Sequence, residues 1–318
     1  MSQPAAAIDL GTNTVRLLIG GVNAQGEIEQ LLVERRITRL GGGFTAERGI
    51  SREAYDRTVA ALRGFAREME RHRVGRVRAV ATSAVRDAVN GRVFCDDIRR
   101  ESGITLEVID GTTEGVLTLA GVRAGIDDRG GKLFVFDVGG GSTEYTLAGD
   151  DEILFTESLP LGVVRLTEGK GSLPAMEEKI GRELDRLHGH LAGAGLEPLV
   201  SEAVLVGTAG TATTLAAISQ GLTDYDYRRV NNYTVSLAEI WEIFARLLPL
   251  TPAERLTVPG LEQGREDLII AGTLITMATM EKFGFGRLKV SDFGLLEGVL
   301  LSVAGREAEH SAPVFPAC

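Results

Sequence analysis

The chain has 318 residues, of which 44% are hydrophobic and 25% charged, and a formal net charge of −10. That length suits two domains, and the composition excludes a disordered or fibrous chain. The negative balance argues against general nucleic-acid binding, and two cysteines, Cys95 and Cys318, can build neither a disulfide framework nor a zinc site.

In chain order the pattern opens as a β-meander: a strand from about residue 4, a second over 15–22, a turn at Asn23-Ala24-Gln25-Gly26, and a third strand over 28–35. A flexible loop through Gly41-Gly42-Gly43 leads to a helix over 51–72. A buried strand at 77–81, a helix over 86–100 ended by Gly103, and a strand at 106–109 come next. Asp110 and Thr112 can cap a helix over 113–124. Hairpins then restart, with strands at 133–138, 143–147 and 153–160. They are followed by an amphipathic helix over 174–191, a buried strand at 203–206 and a helix to about 220. Ser236-Leu237-Ala238-Glu239 and Thr251-Pro252-Ala253-Glu254 are capping boxes that open further helices. A long helix over 265–283, a strand at 288–291 and a helix from Gly294 complete the pattern. Each half is a three-stranded hairpin unit followed by alternating helices and strands, so a duplicated α/β domain is the economical reading.

The strongest signal is a thirteen-residue pattern repeated at an offset of 128. The first copy centres on Asp9-Leu10-Gly11-Thr12-Asn13-Thr14, the second on Asp137-Val138-Gly139-Gly140-Gly141-Ser142-Thr143-Glu144. Each is a buried apolar strand, an Asp, a tight turn of Gly and small hydroxyl residues, and another apolar strand. Such turns leave backbone N–H groups pointing outward, and Gly lets a bulky anion approach them. One copy alone would read as an ordinary hairpin turn. Two in the same register predict a clamp for a phosphate chain, with Asp9, Asp137 and Glu144 as hard oxygen ligands for Mg²⁺ through waters.

Gly207-Thr208-Ala209-Gly210-Thr211, between a buried strand and a helix, offers a further anion or ribose site; the bland alternative is a plain strand-to-helix turn. Glu114 sits one turn into its helix, where a Glu is ordinarily just a favourable dipole partner. If that helix passes under the cleft, its carboxylate can deprotonate water for attack on a phosphoryl group. Arg86, at a strand-to-helix junction, can neutralise charge on the transferring group; a surface pair with Asp87 is the alternative. His72, His188, His190 and His310 have no metal-binding spacing. Trp241 reads as core or dimer interface, and Gly121, Gly125 and Gly294 as glycines permitting hinge closure. No Gly-x4-Gly-Lys-Ser/Thr loop is present, which excludes the P-loop class. Residues 1–120 carry 17 Arg against 16 acids, the remainder 17 basic residues against 28 acids, so an anionic ligand is expected to lean on the first half. No basic-then-apolar leader precedes the first strand, and the apolar stretch 268–280 is too short to span a membrane. A cytoplasmic location without a membrane or nucleic-acid partner is expected.

These residues resemble the actin/Hsp70/hexokinase superfamily and, within it, the exopolyphosphatase / guanosine pentaphosphate phosphohydrolase (Ppx/GppA) family. The matching segments are 9–18, Thr38-Arg39-Leu40-Gly41, 81–88, 137–144, 159–167, Pro259-Gly260-Leu261 with Arg265 and Asp267, and 291–298. The resemblance implies an α/β fold of duplicated ribonuclease H-like (actin-like ATPase) domains facing across an interdomain cleft. Residues 1–120, completed by a C-terminal helix at about 294–310, would form one lobe and 121–293 the other, with no additional C-terminal helical domain. It also implies a homodimer that releases terminal orthophosphate from inorganic polyphosphate or pppGpp with Mg²⁺. Glu114 matches the catalytic position, Arg86 the phosphate-contacting arginine, and Asp9, Asp137, Gly139 to Ser142 and Glu144 the metal and phosphate residues. Many relatives carry further acids followed by Ala and Arg around that Glu, where this chain has Thr112-Thr113-Glu114-Gly115-Val116. An ATP-dependent kinase and a weakly catalytic sensor on the same scaffold remain alternatives at this stage.

Overall fold

The computed structural model describes residues 3–43, 48–127, 130–150 and 152–304. The first half runs β1 (Ala5–Leu10), β2 (Thr14–Val22), β3 (Ile28–Ile37), α1 (Arg52–Arg71), β4 (Arg76–Ala81), the single turn α2 (Ser83–Arg86), α3 (Gly91–Ser102), β5 (Leu106–Val108) and α4 (Gly111–Gly125). The second begins with β6 (Leu133–Val138), β7 (Thr143–Ala148), β8 (Ile153–Leu159), α5 (Val163–Gly169), α6 (Leu173–Gly193), α7 (Glu197–Ser201), β9 (Val204–Thr208) and α8 (Ala209–Ser219). It ends with α9 (Tyr227–Val230), β10 (Thr234–Ser236), α10 (Leu237–Leu247), α11 (Pro252–Arg255), α12 (Ile269–Phe283), β11 (Arg287–Val290) and α13 (Leu295–Ala304).

The two sheets have orders β3-β2-β1-β4-β5 and β10-β11-β9-β6-β7-β8. In each, a three-stranded antiparallel meander is extended by strands parallel to its first member, β4 beside β1 and β9 beside β6. The second sheet adds β11 and the antiparallel edge β10. Mixed α/β architecture with this repeated order is the duplicated actin-like fold. Every residue of β1, β6 and β7 is buried, which explains the apolar runs of β1 and β6 that lead up to their Asp residues.

Registers carry the duplication down to single residues. Asp9 stands opposite Arg16 in the first hairpin and Asp137 opposite Glu144 in the second. Arg16 therefore occupies in one lobe the place that Glu144 occupies in the other.

Two helices tie the halves together. α4 packs on β7 and β8, whereas α13 packs on β1, β2 and β4, and the two cross each other. Their crossing is close because glycines lie at it. A Cβ on Gly121 would fall 1.9 Å from the Gly294 carbonyl oxygen, and one on Gly298 1.8 Å from that of Leu117. Gly125 is packed against the Phe293 ring in the same way. Gly121 and Gly294, read from sequence as permitting hinge closure, stand at the close approach of the two helices, and Gly125 stands against the Phe293 ring. α4 is capped by Asp110, whose side chain accepts from the Thr113 N–H, and buries residues on most of its circumference, as a helix between two layers must.

Three boundaries differ from expectation. The helix placed at 86–100 starts at Gly91, after the separate turn α2, and a Cβ at residue 91 would meet the Val85 carbonyl oxygen at 2.2 Å. The helix placed at 265–283 starts at Ile269, leaving Arg265 in the preceding turn. The second capping box, Thr251 with Glu254, opens only the single turn α11. Trp241 is 45% exposed and donates to Glu281 Oε1, so it is not a core residue. His310, Cys318 and residues 305–310 of the expected C-terminal helix lie outside the described residues. No helix among the described residues is long and apolar enough to cross a membrane.

Candidate active site

The two Asp-rooted turns line one cleft. A cavity with about 900 Å³ of empty volume is bordered by Asp9, Gly11, Thr12, Asn13 and Thr14 from the first turn, and by Asp137, Gly139, Gly140 and Ser142 from the second. Glu114 and Gly210 and Thr211 border it as well. The turns touch: a Cβ on Gly140 would lie 2.7 Å from Thr12 Cβ, and one on Gly141 2.4 Å from Ser83 Oγ and 2.9 Å from Thr12 Oγ1. Glycine at these positions is required by that approach.

Each turn is braced from behind. Thr38 and Arg39 N–H donate to the Asn13 carbonyl, and Gly41 N–H to that of Thr12. In the second lobe Val163 N–H donates to the Gly139 carbonyl and Val164 N–H to that of Gly140. The carbonyls are thereby turned away from the cleft. Among the described residues no hydrogen bond uses the N–H groups of Thr12, Asn13, Gly140 or Gly141. A cleft edged with unspent backbone donors is an anion receptor. The segment 159–167 thus serves as the brace of the second turn.

Carboxylates gather at the cleft floor. Glu114 is 7% exposed; burial, then the charges of Glu144 and Asp137, raise its pKa well above the usual carboxylate value against the opposing pull of Arg86. Burial also lifts Asp137 to about 6, with Arg16 opposing, and Thr118 Oγ1 lies 3.5 Å from its Oδ2. Glu144 is lifted to about 7 by burial and then by Asp137. Its Oε1 accepts from Ser158 Oγ, while its Oε2 is buried with no hydrogen-bond partner. Glu144 stands behind Asp137 and does not border the cavity itself.

Cations face these acids. Arg16 donates to Asp9 Oδ2 through Nη2 at 2.8 Å and Nε at 3.1 Å. Although burial works against its charge, Asp9, Glu297 and Asp137 hold it firmly protonated. Arg35 and Arg265 also border the cavity and share Glu262, at 2.7 and 3.3 Å. Arg86 donates to the Ile109 carbonyl at 2.8 Å and lies 3.4 Å from Glu114 Oε2. Its Nε is 3.7 Å from Asp87, so the expected surface pair exists as well.

The third glycine turn is only partly in the site. Ala209, Gly210 and Thr211 border the cavity; Gly207 and Thr208 do not, and Thr208 Oγ1 donates instead to the Phe293 carbonyl. Ala209 has a φ of 60°, a left-handed conformation costly for a residue with a side chain, held at the strand-to-helix junction. A Cβ at Gly210 would lie 1.4 Å from Arg265 Nη1. A Cβ at Gly115 would meet Thr156 and Thr146 Oγ1 at 2.5 and 2.8 Å.

Arg16, Arg35, Arg265, Thr82 and Ser83 all border the cavity, and sequence reasoning gave none of them a site role, although all but Arg35 fall in the segments that carry the family resemblance. Arg16 was within reach, since it stands at the repeat offset from Glu144. Arg35 carries no local signal, and only the fold brings it beside Arg265. Among the described residues no three His, Cys, Asp or Glu side chains converge into a ready cage for a metal ion. Asp9 is instead held by Arg16.

Two braced phosphate-type turns closing on a buried carboxylate define a two-lobed phosphate-handling enzyme of the actin-like class. The chain belongs to the Ppx/GppA phosphatase family, whose model matches residues 19–307, and is a hydrolase. It is 37% identical to exopolyphosphatase 2 of Mycobacterium tuberculosis over 94% of this chain and 98% of that protein. With exopolyphosphatase 1 of the same organism it shares 28% identity, covering 96% and 89%. Among solved structures, the Aquifex aeolicus PPX-GPPA enzyme superposes with a TM-score of 0.77 at 33% identity, covering 94% and 99%. An exopolyphosphatase from Cytophaga hutchinsonii gives 0.84 at 28%, covering 94% and 97%.

Proposed function

We propose that this protein is an exopolyphosphatase that removes terminal orthophosphate from inorganic polyphosphate. One observation carries the reading: two sets of unspent backbone donors face each other across a cleft whose floor holds Glu114. The terminal phosphate sits between the turns, its charge met by the N–H groups of Thr12, Asn13, Gly140 and Gly141, with Arg86 on the Glu114 side. Glu114 accepts a proton from water as the water oxygen attacks the terminal phosphorus in line. The bond from phosphorus to the bridging oxygen breaks, and the shortened chain leaves with that electron pair. Burial and the neighbouring carboxylates raise the Glu114 pKa above the usual carboxylate value, which makes it a stronger base for that proton.

The donor set fits Mg²⁺. Burial and mutual charge raise Asp137 and Glu144, a strain that a nearby cation would relieve, and Glu144 Oε2 is buried without a partner. One or two carboxylates, Asp137 foremost with Asp9, would hold the ion together with waters and substrate oxygens. Bound there, it supplies neutralisation of charge on the transferring phosphoryl group.

A second reading, pppGpp as substrate, is favoured by one feature. A cavity sharing Arg16, Arg35, Gly210 and Arg265 with the cleft is also lined by Tyr225 and Tyr227, side chains suited to a nucleobase. Phosphate release measured across polyphosphate lengths, pppGpp and ATP, with and without Mg²⁺, tests both. Release from polyphosphate that depends on Mg²⁺ is expected; release from pppGpp alone would move the substrate to the second reading, and none from any of the three would remove both.

A further inference from the structure

Two contacts join α5 to the first half of the chain. Arg165 on α5 bonds Asp87, which follows α2, and Glu168 Oε2 accepts from the Gly43 N–H at 2.8 Å. Asp87 is contested, because Arg86 lies 3.7 Å from the same carboxylate. Arg86 in turn donates to the Ile109 carbonyl and Glu114 and has Asp87 as an ion-pair neighbour. Of these the bond to Glu114, at 3.4 Å, is long and weak.

We propose that Arg165 is a positioning residue: by taking Asp87 across the cleft it leaves Arg86 free to face Glu114 and the reacting phosphate. The inference rests on the exopolyphosphatase reading above. When the halves part to admit a phosphate chain, Arg165 departs with the second lobe. Asp87 then keeps Arg86 as its neighbouring cation and draws the guanidinium away from Glu114. When they close, Asp87 changes partner and Arg86 is released. α5 is well placed for this exchange, since its first residues, Val163 and Val164, brace the Gly139–Gly140 turn. Closing that turn on a phosphate and delivering Arg165 to Asp87 are therefore one movement of one element. Arg165 and Asp87 are partly exposed, at 34% and 38%, so the pair by itself contributes little to stability. Its consequence lies in where Arg86 points.

The test is a double-mutant cycle on polyphosphate hydrolysis, with kcat and KM measured separately and folding checked by thermal melting. Arg165→Ala should lower kcat by about tenfold with KM within about threefold of wild type. Asp87→Ala, and Asp87→Ala combined with Arg165→Ala, should each stay within about threefold of wild type in kcat, because no carboxylate remains to divert Arg86. Arg165→Lys should retain the pair and the activity. A simple clasp predicts equal losses from either single substitution, and a direct phosphate ligand at Arg165 predicts a raised KM that Asp87→Ala does not relieve; either result overturns the proposal. If Arg165→Ala does not fold, Arg165→Gln carries the same cycle. A wild-type protein that releases no phosphate from polyphosphate would instead count against the functional reading.

Discussion

Gly140→Ala puts the facing of the two turns under direct strain. The added Cβ would stand 2.7 Å from Thr12 Cβ, 3.2 Å from Thr12 Cγ2 and 3.3 Å from Val164 Cγ2. Carbon atoms in contact sit about 3.5–4.0 Å apart, so the turns must separate by about 1 Å. Gly140 has an ordinary negative-φ backbone, so the penalty is steric and not conformational. Overpacking of this size costs about 1–3 kcal/mol of stability, which lowers the melting temperature by a few degrees. Activity should suffer more, because a misplacement of about 1 Å between groups that hold a reacting phosphate costs on the order of 10² in rate. The assay is phosphate release from polyphosphate, run on Gly140→Ala in two backgrounds. In the Thr12→Gly background the opposing Cβ and Cγ2 are gone, and the same substitution should cost under about threefold. An undiminished hundredfold loss in that background would show that Thr12 is not what Gly140 meets, and the clamp as described would fall.

Other consequences follow from packing and charge. Gly298→Ala drives a Cβ to 1.8 Å from the Leu117 carbonyl at the α4–α13 crossing; a backbone atom cannot swing aside, so destabilisation of about 3 kcal/mol or more is expected in a denaturant titration. A loss under about 0.5 kcal/mol would show that the crossing is loose. Burial holds Glu297 at about 7, Glu144 at about 7 and Asp137 at about 6. Raised carboxylates stabilise the fold fully only below their unfolded values near 4, and that contribution is lost as pH climbs through 6 to 7. Metal-free protein should accordingly melt at a lower temperature at pH 8 than at pH 5. Glu297→Gln imitates the protonated form and can still accept from the Gly294 N–H, as Glu297 Oε2 does at 2.8 Å. It should raise stability at pH 8 by on the order of 2–3 kcal/mol and change little at pH 5; equal effects at both values would refute the assignment.

The repeat at Asp9 and Asp137 was legible because strand, Asp and glycine turn form a contiguous signature in which backbone geometry dictates residue type. Glu114 borders the same cavity, but in sequence a Glu one turn into a helix reads first as a dipole partner, and its place depended on where that helix runs. The meeting of Arg35 and Arg265 at the site was not legible, because one lies on an edge strand and the other in a turn, and they converge through Glu262. The start of the helix placed at 86 was misread because its apolar periodicity runs on across Asp87–Asn90. What breaks it is tertiary: Arg86 is drawn toward Ile109 and Glu114, and Gly91 must sit against Val85. The glycines at the helix crossing show a related ambiguity. A glycine in a helix reads the same whether it supplies flexibility or close approach, and only the partner, here Gly294 facing Gly121, decides.

The measurement that bears most directly on the mechanism is single-turnover hydrolysis of polyphosphate by Glu114→Gln. The amide keeps the shape of the side chain and removes its ability to take a proton, so the variant should melt as wild type does, still bind the phosphate chain, and hydrolyse it about 10²–10⁴-fold more slowly. Wild-type turnover in a correctly folded Glu114→Gln protein would contradict the account.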